Sequence, residues 1–364
     1  MTTSAERRVS TIVAGAGPAG VLAAVHAAER GPVLLLESGS LPRSKSCGGM
    51  LHQLSLETLE PYGEVPESIV SSPRTVNFRY NDWDRRITRT TELAFLNVSR
   101  AGFDEWLLSL LPGNVEVRER SAVTGFEQDA ESVTVQVRSG DTTETVRADL
   151  LIGADGARSQ VRRALGLRDS ASYVTLQDFV ELTDEIDPVF DCIYMRNIGD
   201  EFAYAYVVPK DGVALIGSVF YPRTKRPWEK QDQVIGMLRQ RMPELGAQVG
   251  RESAAALYLR SPEDILHGSG RVLLAGEAAG FMSPTSGEGI SYALRTGRAA
   301  GLGNAAVLTG STSAAEPRSR TISAAKPCQV VSPAFTAWKV PPAPLSIRSA
   351  TASARSSAKV GQPR

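Results

Sequence analysis

The chain has 364 residues, with 40 basic and 40 acidic side chains and zero formal net charge. That length allows two lobes at the usual ~100–200 residues per domain, and the charge balance offers nothing to a polyanion, so no nucleic-acid partner is expected. Three cysteines, Cys47, Cys192 and Cys328, are too few and too scattered for a disulfide framework or a zinc site. No apolar run reaches the ~18 residues of a membrane span, and the few polar residues before the first strand leave no room for a signal peptide. The expectation is a cytoplasmic protein without a metal, with peripheral membrane contact left open.

Residues 9–14 form a largely apolar run of strand length, followed by Gly15-Ala16-Gly17-Pro18-Ala19-Gly20. The spacing gives each glycine a task. Gly15 opens the turn, Gly17 lets backbone approach a pyrophosphate, and Gly20 lets the next helix lie against the sheet, with Pro18 suited to its first turn. That helix, from Ala19 to residue 30, aims its free N–H groups at the phosphates. Its dipole alone contributes only ~0.3–1 kcal/mol, so geometry matters more than charge. Residues 33–36 read as a second buried strand closed by Glu37, an acid placed to accept hydrogen bonds from an adenosine ribose. An arginine there would instead suit the 2′-phosphate of NADP.

Ser99 caps a predicted helix over residues 100–110, with Phe103, Trp106, Leu107 and Leu110 on one face. Short strands are predicted at 115–118, 121–127, 132–137 and 142–148. A further buried strand at 150–154 delivers Asp155 and Gly156 at its carboxyl end, where open α/β sheets bind ligands. Longer strands at 192–198, 201–208 and 212–220 mark an antiparallel sheet, a helical crossover is predicted at 231–242, and 271–276 returns to the first lobe. Past Gly276 and Glu277, Ser286-Gly287-Glu288-Gly289-Ile290 enters a helix. There Ser286 offers a cap and the glycines leave N–H groups free for the negative end of a reduced flavin.

Three segments in this order, the first Gly-rich turn, residues 150–159 and residues 270–290, point to FAD. The fold class expected is α/β: a Rossmann-type, glutathione reductase-like FAD-binding domain over 1–170 with 265–305, and an antiparallel-sheet substrate lobe over 171–264.

Together these segments, over roughly residues 9–301, resemble the FAD-dependent superfamily of para-hydroxybenzoate hydroxylase and, within it, the geranylgeranyl reductase family. The resemblance implies that Gly153-Ala154-Asp155-Gly156 lies near the FAD phosphates and the nicotinamide. It also implies that the acid of Gly276-Glu277 hydrogen-bonds the ribityl chain, with Glu where most members carry Asp, and that Arg100 lies against the cofactor. Lys45-Ser46-Cys47-Gly48-Gly49 resembles the family's Lys-x-Cys-Gly-Gly turn beside the isoalloxazine ring, where paired glycines let backbone reach the ring face. Cys47 is accordingly the flavin-proximal candidate for catalysis, tuning the flavin, donating a weak hydrogen bond or packing as a small apolar group. Tyr204-Ala205-Tyr206-Val207-Val208-Pro209 is similar to the family's Tyr-x-Trp-x-Phe-Pro strand and makes Tyr204, Tyr206 and Pro209 pocket candidates. Here Tyr206 and Val208 stand where the family has Trp and Phe.

The implied activity is that of an FAD-dependent oxidoreductase, in which reduced flavin delivers hydride to an apolar unsaturated substrate. An aromatic monooxygenase and a non-catalytic flavin-binding protein are the alternatives. No second Gly-rich unit is visible for a resident nicotinamide, so NAD(P)H is expected as a transient reductant, with a separate electron carrier as the other source. His26, His52 and His267 read as isolated surface or packed residues. After Glu316 there are eight basic residues and no acidic one, which leaves the first 316 residues with about −8. The Pro-, Ser- and Ala-dense stretch 317–364 lacks periodicity. It reads as a disordered, low-complexity tail arising from a shifted reading frame, with a native basic linker as the other reading.

Overall fold

The computed structural model describes residues 7–43, 45–166, 171–283 and 286–303, and the tail at 317–364 lies outside the described residues. The chain divides into two units, Met1–Ala314 and Ala315–Arg364, and all described residues belong to the first. β1 (Arg7–Ala14) leads through α1 (Pro18–Ala27) to β2 (Val33–Leu36), after which come β3 (Met50–Leu51), α2 (Gln53–Leu59), β4 (Val70–Asp82) and β5 (Ile87–Val98). Next are α3 (Arg100–Ser109), β6 (Val115–Arg118), β7 (Ser121–Gln128), β8 (Val133–Ser139), β9 (Thr142–Gly153) and α4 (Gln160–Ala164). β10 (Ser172–Leu182), β11 (Val189–Tyr194), β12 (Phe202–Lys210), β13 (Val213–Phe220), α5 (Pro227–Arg239) and β14 (Leu245–Leu257) follow. The last elements are β15 (Gly268–Ser269), β16 (Val272–Leu274) and α6 (Ile290–Gly301).

The first sheet runs β15-β16-β9-β1-β2-β6, with β7 and β8 attached beside β9; β16, β9, β1, β2 and β6 are parallel. Parallel strands covered on both faces read as continuous apolar runs. Val33–Leu36 is buried at every position, and Ile12, Leu34, Leu151 and Ile152 are wholly enclosed. Burying each such side chain contributes ~1.5–3 kcal/mol. The two strands expected at 142–148 and 150–154 are one, because β9 pairs without interruption with β8 at its start and with β1 further along.

The second sheet has the order β14-β10-β13-β12-β11-β4-β5-β3 and is antiparallel at every junction except β11–β4. Period-two alternation divides its faces. Ala205, Val207, Ile216 and Phe220 pack with Val234, Ile235 and Leu238, so α5 covers one side. The other side carries Phe78, Tyr80, Phe190, Tyr194, Tyr204 and Tyr206, aligned by the pairs Phe190–Phe78, Cys192–Tyr80 and Cys192–Tyr206.

The lobe boundary differs from the sequence expectation. Residues 50–98, assigned above to the FAD domain, supply β3, β4 and β5 to the second sheet. β5 is exposed along most of its length, and its partner β4 is placed by β11, more than a hundred residues away. No local pattern announces that pairing. No helix among the described residues is long and apolar enough to cross a membrane.

Candidate flavin site

The turn between β1 and α1 is packed at Gly15 and Gly20 as their spacing suggested. Gly15 has φ +97°, and a Cβ there would overlap the Ala154 carbonyl. A Cβ on Gly20 would overlap the Gly15 carbonyl oxygen. Side chains at either place would push α1 off the sheet. α1 begins at Pro18 behind Gly17, with no side chain capping its first turn, which leaves backbone donors for an anion.

Glu37 is buried at the end of β2, where its carboxylate accepts from Ala16 N–H at 3.1 Å and Gly39 N–H at 2.9 Å. Sequence reasoning missed Arg43. Its Nη2 lies 3.3 Å from Asp104, its Nε lies 3.7 Å from Glu37, and a Cβ on Gly17 would meet little but this guanidinium. The Nε is buried without a hydrogen-bond partner. A cation above an uncapped helix start, with an orphaned donor, fits the pyrophosphate of a dinucleotide. Only its position in space identifies it.

A second group of residues gathers where the two sheets meet. Lys45 Nζ donates to Glu277 at 2.9 Å, and the other Glu277 oxygen accepts from Leu257 N–H at 3.2 Å. Burial works to raise the Glu277 carboxyl, but the charge and hydrogen bond of Lys45, the Leu257 N–H and Arg100 outweigh it and hold the group below its ordinary value. Arg100 donates to Asp104 from Nε at 2.9 Å and Nη2 at 3.2 Å. Burial opposes its charge, whereas Asp104 and the Cys47 sulfur more than restore it.

The N–H of Cys47 donates to Gln177 Oε1 at 3.1 Å, and its Sγ accepts from Gly49 N–H at 3.5 Å. Gly49 has φ +68°, and a Cβ would overlap the Val98 carbonyl; a Cβ on Gly48 would lie 3.1 Å from the Phe190 ring. The expected Lys45, Cys47, Arg100 and Glu277 are thus brought together. Gly276 joins them to the first turn, its hypothetical Cβ 3.0 Å from that of Ala19.

Asp155 is committed to its own turn, accepting from Ser159 Oγ, from Gln160 N–H at 2.7 Å and from Val161 N–H at 3.2 Å. Burial raises its carboxyl against those hydrogen bonds. Asp155 therefore fixes the turn beside Gly15, and the neighbouring Gly156, at φ +75°, stands in open space.

At α6 the expected cap is corrected. The helix starts at Ile290 with Gly289 before it and no side-chain bond from that residue. Glu288, rather than Ser286, serves the helix start, accepting from Ser291 N–H and Oγ at 2.8 Å each. Ser286 is too far upstream and donates to Ser283 Oγ at 2.8 Å instead. His52, read as isolated, caps α2 by accepting from Leu54 N–H at 3.1 Å through Nδ1. That bond assigns the ring proton to Nε2, which lies 3.6 Å from Glu288. Gly287, with φ +68°, sits under the Tyr204 hydroxyl, which donates to Ser286 O at 3.3 Å.

The pocket candidates divide by burial. Tyr204 is half-buried, whereas Pro209 and Tyr206 are buried. The Tyr206 ring occupies the space that a Cβ on Gly217 would need, stacks on Phe190 at 5.0 Å, and donates from its hydroxyl to Gln177 Oε1 at 2.9 Å. It therefore backs the Cys-Gly-Gly turn. Beside it, Tyr204, Tyr194 and Tyr80 form a half-buried aromatic row with centroids 6.0 and 5.0 Å apart. A cleft of about 540 Å³ lined by Arg118, Glu119, Ser121, Ser139, Thr142 and Glu144 contains none of these residues. Convergence of donors, not cavity volume, marks the site.

The glycine-packed turn and the uncapped start of α1, with Glu37 and Arg43 beside them, suit the adenosine diphosphate half of an FAD dinucleotide. Residues 8–318 match the model of the FAD binding domain family, and the chain belongs to that family, of the para-hydroxybenzoate hydroxylase type. It is 30% identical over 292 residues to Protein CbrA of Escherichia coli O9:H4 (strain HS), covering 78% of this chain and 77% of that one. Its fold is similar to that of a geranylgeranyl bacteriochlorophyll reductase-like protein (Ta0516) from Thermoplasma acidophilum, with TM-score 0.69, 22% identity and coverage of 84% and 80% of the two chains. It is also similar to p-nitrophenol 4-monooxygenase PnpA from Pseudomonas putida DLL-E4, with TM-score 0.62, 20% identity and coverage of 84% and 82%.

Proposed function

We propose that this protein is a flavin reductase acting on a carbon–carbon double bond of an apolar substrate, with NAD(P)H as a transient reductant in the cleft. The observation that supports this most is the docking of the Lys45–Gly49 turn against the aromatic side of the second sheet through Gln177. Bound FAD would supply the two-electron chemistry. Gly15, Gly17, Ala19, Gly20, Arg43 and Glu37 would hold its adenosine diphosphate half. Lys45, Arg100 and Glu277, with Gly287, Gly289 and Ile290, would surround its ribityl and ring half. Cys47 would face the ring with its N–H already satisfied. A substrate would lie along Tyr204, Tyr194 and Tyr80, whose rings exclude water. Burial raises the Tyr204 hydroxyl above its ordinary value, which keeps it protonated and donating at neutral pH.

That tyrosine-rich row also favours a second reading, a monooxygenase for a planar aromatic substrate, because stacked rings with polar edges suit a flat partner better than a purely aliphatic one. An electron carrier in place of NAD(P)H is the other source of reducing equivalents. Mixing FAD-loaded protein with NADH or NADPH without oxygen, then analysing products with and without oxygen, separates these. Flavin bleaching and a saturated product without oxygen are expected. An oxygenated product formed only in air would replace the reductase with the monooxygenase, and no bleaching by either nucleotide would remove the nicotinamide.

A further inference from the structure

Lys210, the last residue of β12, is 8% exposed, and none of the steps above uses it. Its Nζ donates to Asn97 Oδ1 at 2.5 Å and to the Val98 carbonyl at 2.6 Å. It also stands 3.0 Å from where a Cβ on Gly49 would be. Asn97 is held from its other end, donating to Pro73 O at 2.9 Å and Pro209 O at 3.0 Å. Val98 N–H donates to Gly49 O at 2.9 Å, and Ser99, the cap of α3, follows directly. One ammonium therefore joins the end of β12, the back of the Cys-Gly-Gly turn and Val98 at the end of β5, which directly precedes the cap of the helix that carries Arg100. A buried cation without a carboxylate in contact is costly, and a core apolar residue would serve packing better.

We propose that Lys210 is a positioning residue for the flavin, its ammonium locking the turn that presents Cys47 and the helix start that presents Arg100 into one arrangement. This rests on the reading that places that turn beside the flavin. Burial brings the Lys210 ammonium down to about 8, so the lock weakens within an accessible range. The titratable groups that face it are Cys47 from the turn and Asp211 from its own chain. Asn97, Val98 and Pro73, from the strands against it, are neutral.

The test uses the full chain in a Cys47→Ser background, which removes thiol titration. Amide-exchange protection of residues 45–50 and 97–100 is measured without FAD, and FAD affinity by fluorescence, from pH 6.5 to 9.5. Protection and affinity are both expected to fall several-fold with a midpoint below the wild-type value of about 8, because the Cys47 sulfur that raises it is gone. Lys210→Arg should hold the high level throughout and Lys210→Met the low level, a split that loss of packing alone would not give. A flat protection profile in the Cys47→Ser protein, which needs no change at Lys210, overturns the lock even where FAD binds normally. A step in protection with pH-independent FAD affinity overturns the positioning role and, with it, the placement of the turn at the flavin.

Discussion

Glu277 shows how one residue's environment sets a measurable pH dependence. Its carboxyl is held below the ordinary 4.5 by Lys45, Leu257 N–H and Arg100 despite burial. A carboxyl depressed in the folded state contributes stability that is fully present above its unfolded value and is lost as pH falls through the folded one. Glu277→Gln should therefore cost ~1–3 kcal/mol near pH 7, the range for disrupting a charged hydrogen bond. The difference in melting temperature from wild type should shrink as pH drops below about 4.5. Thermal melts between pH 3 and 7 check this, and a difference independent of pH would assign the pair no electrostatic role. The glycines of the first turn were legible because their tasks follow from spacing alone. Arg43 was not, since an arginine after a proline carries no local sign that it folds back over Gly17.

At the scale of elements, α1 and α6 approach so closely that only glycine fits between them. A Cβ on Gly297 would overlap the Ala19 carbonyl, and one on Gly301 would lie 2.5 Å from the Ala23 carbonyl. The four-residue spacing puts both glycines on one face of α6, against α1, whose uncapped start follows the Gly-rich turn. Gly276 N–H, donating to Thr296 Oγ1 at 2.9 Å, ties the same helix to the Glu277 segment. Gly297→Leu should destabilise by ~3 kcal/mol or more through overpacking, since backbone rather than a movable side chain stands in the way. FAD affinity should fall with it, because α1 and Gly276 both shift. Urea unfolding and FAD titration measure the two effects; a variant within ~0.5 kcal/mol of wild type, the range of neutral surface changes, would show that the helices separate freely. Helix and strand positions were largely legible: Ser99 caps α3 and accepts from Gly102 N–H at 3.3 Å, as its residue type suggested. The cap of α6 was misread because Ser286 and Glu288 are both competent acceptors, and only the observed helix start at Ile290 chooses between them.

Over the whole described molecule, the second sheet depends on strands from two distant stretches of chain. Residues 171–264 lack β4, the parallel partner of β11, and with it β5 and β3. That fragment would expose the edge of β11 and uncover the Phe78–Phe190 stack, leaving unpaired backbone and apolar surface. Expressed alone it should show no cooperative unfolding and should aggregate, as read by thermal denaturation and sedimentation; a cooperative monomeric fragment would restore the boundary drawn from sequence. The sequence by itself determined the FAD turn, the order of the cofactor segments and the two kinds of sheet, because glycine tolerance and apolar periodicity act over a few residues. The tertiary structure alone decided that 50–98 crosses to the second sheet, that Arg43 lies at Gly17 and Lys210 at Gly49, and that Tyr206 backs the Cys-Gly-Gly turn. Each of those depends on contacts between residues far apart in the chain, where the free energy of burial and hydrogen bonding is set by the partner and not by the residue's neighbours in sequence.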